Sequence, residues 1–126
     1  MTSLTIGQLC EQTGEESHVL RHWEDVGLLR PTRTPAGHRR YHPATVAGVL
    51  TVRRLQRVGF SLADIVALHR GAKPDRTARF DAHRSRLVAD RAAIDAALGY
   101  IEHTMDCVHP VVDDCPSCAA FAAGGG

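Results

Sequence analysis

From Thr77 to Met105 the chain contains no proline, and Leu87, Ile94, Leu98, Ile101 and Met105 follow alternating heptad steps across a polar Arg91. A single helix over this stretch exceeds about 40 Å at about 1.5 Å per residue. That is too long for its apolar seam to be buried against the short segment that precedes it. A second copy of the chain is the economical cover, so the pattern predicts a homodimer built on a long helix. In a chain of 126 residues this leaves room for one small head ahead of the helix and a short tail behind it.

The head reads as a run of short helices. Thr5-Ile6-Gly7-Gln8 fits a capping box, and Ile6, Leu9 and Cys10 share the apolar face of the helix it opens. Thr13-Gly14 ends that helix. A second is predicted from about Glu16 to Val26, with Val19, Leu20, Trp23 and Val26 as its apolar side and Gly27 as its stop. Two short helices joined by a glycine-containing turn form a helix-turn-helix or an ordinary helical hairpin. After Pro43, residues 44–58 supply a third amphipathic helix through Val46, Val49, Leu50, Val52 and Leu55; Gly59 ends it, and Ser61-Leu62-Ala63-Asp64 opens a fourth. Residues 71–74 read as a linker.

Residues 30–42, RPTRTPAGHRRYH, carry two prolines, one glycine, four arginines and two histidines. Such a segment is a hairpin or loop and not a helix. A solvated loop does not need this density of guanidinium groups, whereas a loop lying on nucleic acid does, because phosphates accept paired bonds from arginine. Charge distribution agrees: residues 1–70 hold nine arginines against six acids, and residues 71–126 hold six basic residues against eight acids, within a net charge of +1. No apolar run approaches the roughly 20 residues that span a bilayer, and the first twelve residues lack the basic and apolar regions of a secretory signal. A cytoplasmic protein without a membrane partner is the expectation. No nucleophile–base pair, glycine-rich phosphate loop or HExxH motif suggests an enzyme. A protein-interaction module with the coiled coil as its working part is the other class; it predicts no salt-dependent binding to promoter DNA.

Taken in order, TIGQLCEQTG, VLRHWEDVGLLRP, AGHRRY and VRRLQRVGFSLADI, then a long helix and a cysteine-bearing tail, the chain resembles the MerR family of bacterial transcription regulators over nearly its whole length. The resemblance rests on Arg21-His22-Trp23-Glu24, on Gly37-His38-Arg39-Arg40-Tyr41 and on Gly59-Phe60-Ser61-Leu62. It departs from the family pattern at His22 and His38, where aromatics are usual, and at Glu16, where a serine commonly caps the recognition helix. The resemblance implies a mainly α fold: a winged helix-turn-helix head over residues 1–74, a long antiparallel coiled-coil dimerisation helix over 75–106, and a Cys-rich effector loop with a flexible tail over 107–126. It implies binding as a dimer to a pseudo-palindromic promoter operator, with distortion of that DNA so that RNA polymerase can engage. By matching position, His18, Arg21 and His22 would face bases or adjacent phosphates. His38, Arg39, Arg40 and Tyr41 would belong to the wing, with Arg39 on phosphate and Tyr41 either on the backbone or packed beneath the wing. Trp23 reads as core.

The tail places three cysteines and two histidines in sixteen residues, from His103 to Cys118. In a reducing compartment such a set points to metal or redox chemistry. The C-x7-C spacing from Cys107 to Cys115 is similar to the metal loop of MerR-type copper and zinc sensors, and Cys115-x2-Cys118 adds a chelating pair. Three thiolates and one imidazole complete a tetrahedral zinc site, so Cys107, His109, Cys115 and Cys118 are the expected ligands, with His103 the alternative imidazole. Two thiolates alone suit linear Cu(I). A [2Fe-2S] cluster or a reversible Cys115–Cys118 disulfide are competing uses of the same sulfurs. Zinc-type sensors often take a further cysteine from the start of the partner's long helix, and residues 72–79 contain none. Asp113 and Asp114 read as solvated, Cys10 as core and His83 as surface.

Overall fold

A computed structural model describes residues 2–109 and 115–124. Its elements run α1 (Ile6–Thr13), α2 (Ser17–Asp25), β1 (Thr32–Arg33), β2 (Arg39–Arg40), α3 (Thr45–Arg57), α4 (Leu62–Arg70), α5 (Lys73–Asp106) and α6 (Pro116–Gly124). The chain divides into two units, Met1–Arg76 and Thr77–Gly126. None of its described helices is long and apolar enough to cross a membrane.

In the first unit, local signals set the element boundaries. The Thr5 side chain accepts the Gln8 amide at 3.1 Å while the Gln8 side chain accepts the Thr5 amide at 2.9 Å, closing the first turn of α1. Gly14 ends α1 with φ at 75°, a left-handed conformation open to glycine without strain. Ser61 and Asp64 cap α4 in the same reciprocal way. Arg53 of α3 ties down the α1–α2 turn, donating to the Thr13 carbonyl at 2.7 Å and pairing with Glu15 at 2.8 Å.

The core of this unit comprises Leu9, Leu20, Trp23, Leu29, Tyr41, Val49, Val52, Phe60, Ile65 and Leu68. Leu9 of α1, Leu20 and Trp23 of α2 and Val49 and Val52 of α3 are buried as their stripes predict, whereas Leu50 of the α3 stripe is exposed, and α3 lies against α1 and α4. The wing is a two-stranded antiparallel hairpin with Thr32 opposite Arg40 and Arg33 opposite Arg39. Leu4 exchanges both backbone bonds with Tyr41, at 2.7 and 2.8 Å, which fastens the base of the wing to the N-terminal segment.

Three features of the second half differ from the sequence-based expectation. Helix α5 begins at Lys73, inside the expected linker, because a proline in the first turn of a helix costs no backbone bond. The tail expected to be flexible forms α6 as far as Gly124: Pro116 starts it and the alanines at 119, 120, 122 and 123 favour it. His83, expected on the surface, is 8% exposed, with the Arg86 guanidinium 2.7 Å from its Nδ1 one turn on. Within the chain, Leu87, Ile94, Leu98, Ile101 and Met105 of α5 are all exposed, Met105 by 79%. A helix that is this apolar along one seam and uncovered there has not buried its hydrophobic surface within one protomer.

Candidate nucleic-acid interface and metal centre

Burial of Leu20 and Trp23 turns the opposite side of α2 outward, and His18, Arg21, His22 and Asp25 form an exposed stripe at helical spacing. Three of these four carry or can carry positive charge. His38 is exposed on the wing, where the turn closes through the Gly37 amide on the Thr34 carbonyl at 2.8 Å. His18, Arg21, His22 and His38 are therefore all placed where a ligand could reach them.

The other three wing residues are engaged inside the protein. Tyr41 is 1% exposed, so packing beneath the wing, the second of the two places expected for it, is the one observed, and contact with DNA is closed to it. Its phenol donates to Glu24 Oε2 at 3.4 Å; burial first, then the Glu24 charge, pushes the phenol pKa up. Arg39 donates through Nε to the same oxygen at 2.8 Å, and Arg33 approaches the other carboxylate oxygen at 3.6 Å. Arg40 Nε donates to Ser3 Oγ at 3.0 Å. Glu24, whose side chain is 16% exposed, thus joins α2 to both strands of the wing.

The family resemblance places Arg39 on phosphate; its pairing with Glu24, fifteen positions earlier, gives no periodic signal in the sequence. The Arg-x-x-Glu string held the clue, with its glutamate one position past the buried Trp23. Glu24→Gln is expected to destabilise the head by about 1–3 kcal/mol, since two guanidinium groups lose a charged acceptor. A denaturant unfolding curve checks this as a lowered midpoint.

The second unit brings His103, Cys107, Cys115 and Cys118 together, with their ligand atoms all within 4.8 Å of one another. His103 lies in the last turn of α5 and Cys107 just past its end, where the Cys107 amide donates to the His103 carbonyl at 2.9 Å and keeps the two side chains one helical turn apart. Cys115 immediately precedes α6 and Cys118 lies in its first turn. Cys107 Sγ is 3.7 Å from Cys115 Sγ and 3.6 Å from Cys118 Sγ, and His103 Nε2 is 3.1 Å from Cys118 Sγ. All four of the chain's cysteines are free thiols. Cys10 is partly buried against the core, and that burial raises its pKa.

Within the cluster the thiols are not equivalent. The Cys118 amide donates to Cys115 Sγ and holds its pKa below the ordinary range, helped by thiol bonds and the Ser117 amide. Burial among the other sulfurs, then the bonds it donates to them, pushes Cys118 up to about 12. Cys115 is thereby the easier of the two to ionise, and Cys118 gives up its proton when a cation takes the proton's place.

The donor set fits a single four-coordinate ion. Metal–sulfur bonds of about 2.3 Å in a tetrahedron set thiolates about 3.8 Å apart, whereas a linear pair would spread them to roughly 4.5 Å. The observed separations of 3.6 and 3.7 Å match the tetrahedron. The fourth donor in this group is His103. His109, the imidazole nearest the cysteines in sequence, stands 3.4 Å from Cys107 Sγ but outside the four-residue group, because it lies beyond the end of α5 and loses the helical register. Asp113 and Asp114 lie outside the described residues.

A family profile described as "MerR HTH family regulatory protein" matches residues 4–71. Nodulation protein NolA of Bradyrhizobium elkanii is 44% identical over 61 residues, covering 48% of this chain and 28% of that protein. HTH-type transcriptional regulator HmrR of Sinorhizobium medicae (strain WSM419) is 30% identical over 131 aligned positions, covering 98% of this chain and 89% of that one. Among solved structures, HiNmlR, described as a MerR family regulator lacking the sensor domain and bound to promoter DNA, superposes with a TM-score of 0.62 at 21% identity, covering 82% of this chain and 88% of that one. At that identity the likeness shows the fold. The chain spans between 26% and 33% of the length of the NolA proteins it matches.

Proposed function

Since the chain belongs to the MerR helix-turn-helix family of regulatory proteins, we propose that it is a metal-responsive transcriptional regulator. In this reading it binds a pseudo-palindromic promoter operator as a homodimer and alters the geometry of that DNA when a metal ion, zinc first and Cu(I) next, occupies His103, Cys107, Cys115 and Cys118. Its work is regulatory and not catalytic, its further partner is RNA polymerase at the promoter, and its place is the cytoplasm.

The observation that carries the sensing half is the four-donor group within 4.8 Å, three sulfurs and one imidazole. Three soft sulfurs select a soft or borderline cation, and a fourth donor favours tetrahedral zinc over linear copper. Packing all four donor atoms around one point also favours a single ion over a two-iron cluster, whose ligands divide between two metals. A bound ion supplies charge and cross-linking. The protein residues do the rest: Cys107 and His103 fix the end of α5, and Cys115 and Cys118 fix the start of α6. Filling the site therefore ties α6 to the long helix whose exposed Leu87–Met105 seam a second protomer would cover.

The DNA half is supported by the outward stripe of α2 and by the promoter-bound state of HiNmlR. Bending or untwisting an operator costs on the order of 1–6 kcal/mol, so the ion need only shift the dimer's preferred geometry by a similar amount. The test is titration of the full chain against its own upstream DNA across a salt series, with oligomeric state followed by sedimentation. The expected result is a dimer whose affinity falls steeply with salt, with a logarithmic slope of about 0.9 for each phosphate contacted. Salt-independent or absent binding would leave the interaction-module reading in its place.

A further inference from the structure

We propose that Glu16 reads a base, with cytosine as its preferred partner, and that His18 positions it. This rests on the DNA-binding reading above. Glu16 occupies the N-cap position of α2, where Ser, Thr, Asp or Asn would ordinarily accept a first-turn amide. Its side chain makes no capping bond, whereas Thr5 and Ser61 cap α1 and α4. The neighbouring Glu15 is used by the fold: its side chain is 17% exposed and paired with Arg53. Glu16 is not: its side chain is 77% exposed, and its partner among the described residues is His18, whose Nδ1 lies 3.2 Å from Oε2. The chain thus keeps an uncapped carboxylate, steadied by an imidazole, at the leading end of the helix that carries the exposed His18–Arg21–His22 stripe.

A carboxylate beside a polyanion costs affinity unless it has a donor to meet. In a helix-turn-helix, the N-terminal residues of the second helix are those that reach base edges in the major groove. A carboxylate only accepts hydrogen bonds. The donors on that edge are the amino groups of cytosine N4 and adenine N6, while guanine and thymine oppose a carboxylate with acceptors. Adenine sets N7, a second acceptor, beside its amino group, so cytosine is the better match for two carboxylate oxygens. His18 Nδ1 lies 3.2 Å from Glu16 Oε2, and a proton donated from that nitrogen would favour the rotamer that turns the carboxylate outward. Guanine and thymine at this position are therefore rejected by acceptor–acceptor repulsion, the kind of unfavourable contact from which specificity is built.

The experiment is selection from a randomised operator library with the full-length wild type, Glu16→Gln and Glu16→Ala, each checked by thermal melting. Both substitutions fall on an exposed side chain that caps nothing, so the melts are expected to coincide. Wild type should enrich cytosine at one position in each half-site, over the next base by roughly tenfold. Glu16→Gln should move that preference to adenine, because glutamine both donates to N7 and accepts from N6. Glu16→Ala should flatten it while the other positions hold. His18→Ala should weaken the cytosine preference without replacing it. If all variants enrich the wild-type operator and differ only in uniformly tighter binding, Glu16 acts through charge alone and the inference is overturned. If wild type enriches no sequence, the DNA-binding reading falls and takes this inference with it.

Discussion

Cys115→Ser lowers the protein's affinity for zinc by about 100-fold or more, the largest single effect expected from any residue of the second unit. Removing a supporting residue from a metal site typically costs about 10- to 100-fold, and Cys115 would be a ligand. It is 5% exposed, the Cys118 amide holds its pKa down, and it sits 3.7 Å from Cys107 Sγ, so serine leaves three donors and a hard hydroxyl in place of a soft thiolate. Competition with a chromophoric chelator, under reducing and oxygen-free conditions, measures the loss. The same titration separates the two imidazoles: His103→Ala should weaken zinc, whereas His109→Ala should leave affinity within about threefold, since His109 stands outside the four-donor group. The pH dependence has a definite sign. Cys118, pushed up to about 12, is a thiol in the metal-free protein at neutral pH and must release its proton to bind. Zinc affinity should therefore fall as the solution is taken from about pH 8 to about pH 6, with protons released on binding.

Trp23→Ala destabilises the head by about 3–5 kcal/mol, a large part of the 5–15 kcal/mol that typically holds a domain of this size. Trp23 is 3% exposed within the cluster formed by Leu9, Leu20, Leu29, Tyr41 and the stripe of α3, and its burial is what turns His18, Arg21 and His22 outward. Truncation leaves a cavity beneath the recognition helix that a fold this small cannot close. Circular dichroism in denaturant, which does not depend on the single tryptophan as a reporter, measures the loss. DNA binding should fail at temperatures where wild type still binds, and Trp23→Phe should restore most of it. Near-wild-type stability in Trp23→Ala would contradict the packing of Trp23 at the centre of this core.

What the sequence made legible was local. The capping boxes at Thr5 and Ser61, the glycine at 14 and most of the apolar period of α1 to α3 are each decided within a few residues, and the structure has them where the pattern put them, Leu50 excepted. The stretch that became the wing announced itself through prolines, a glycine and clustered arginines. Errors arose where the deciding partner was distant or where composition misled. Pro74 looked like punctuation but sits in a first helical turn. The glycines at the end of the chain suggested disorder, while the alanines before them favoured α6.

Sequence distance favoured His109 over His103, whereas helical periodicity, which places His103 one turn before Cys107, was the better guide to proximity. Tyr41 was left with two places in the sequence; Leu4, thirty-seven positions earlier, and Glu24 hold it in the core. The pairing of Arg39 Nε with Glu24 spans fifteen positions and carries no local signal, so the sequence did not show it. The exposed seam of α5 was legible as a pattern, and we propose that a second copy covers it.

The most direct test of a metal-responsive regulator is run-off transcription from the protein's own upstream DNA, with purified RNA polymerase and the full chain, as zinc is added. Transcript level is expected to change as zinc fills about one site per protomer, at unchanged operator occupancy, while Cys115→Ser holds the metal-free level throughout. Transcript that ignores zinc and Cu(I) alike while the operator stays bound would contradict it.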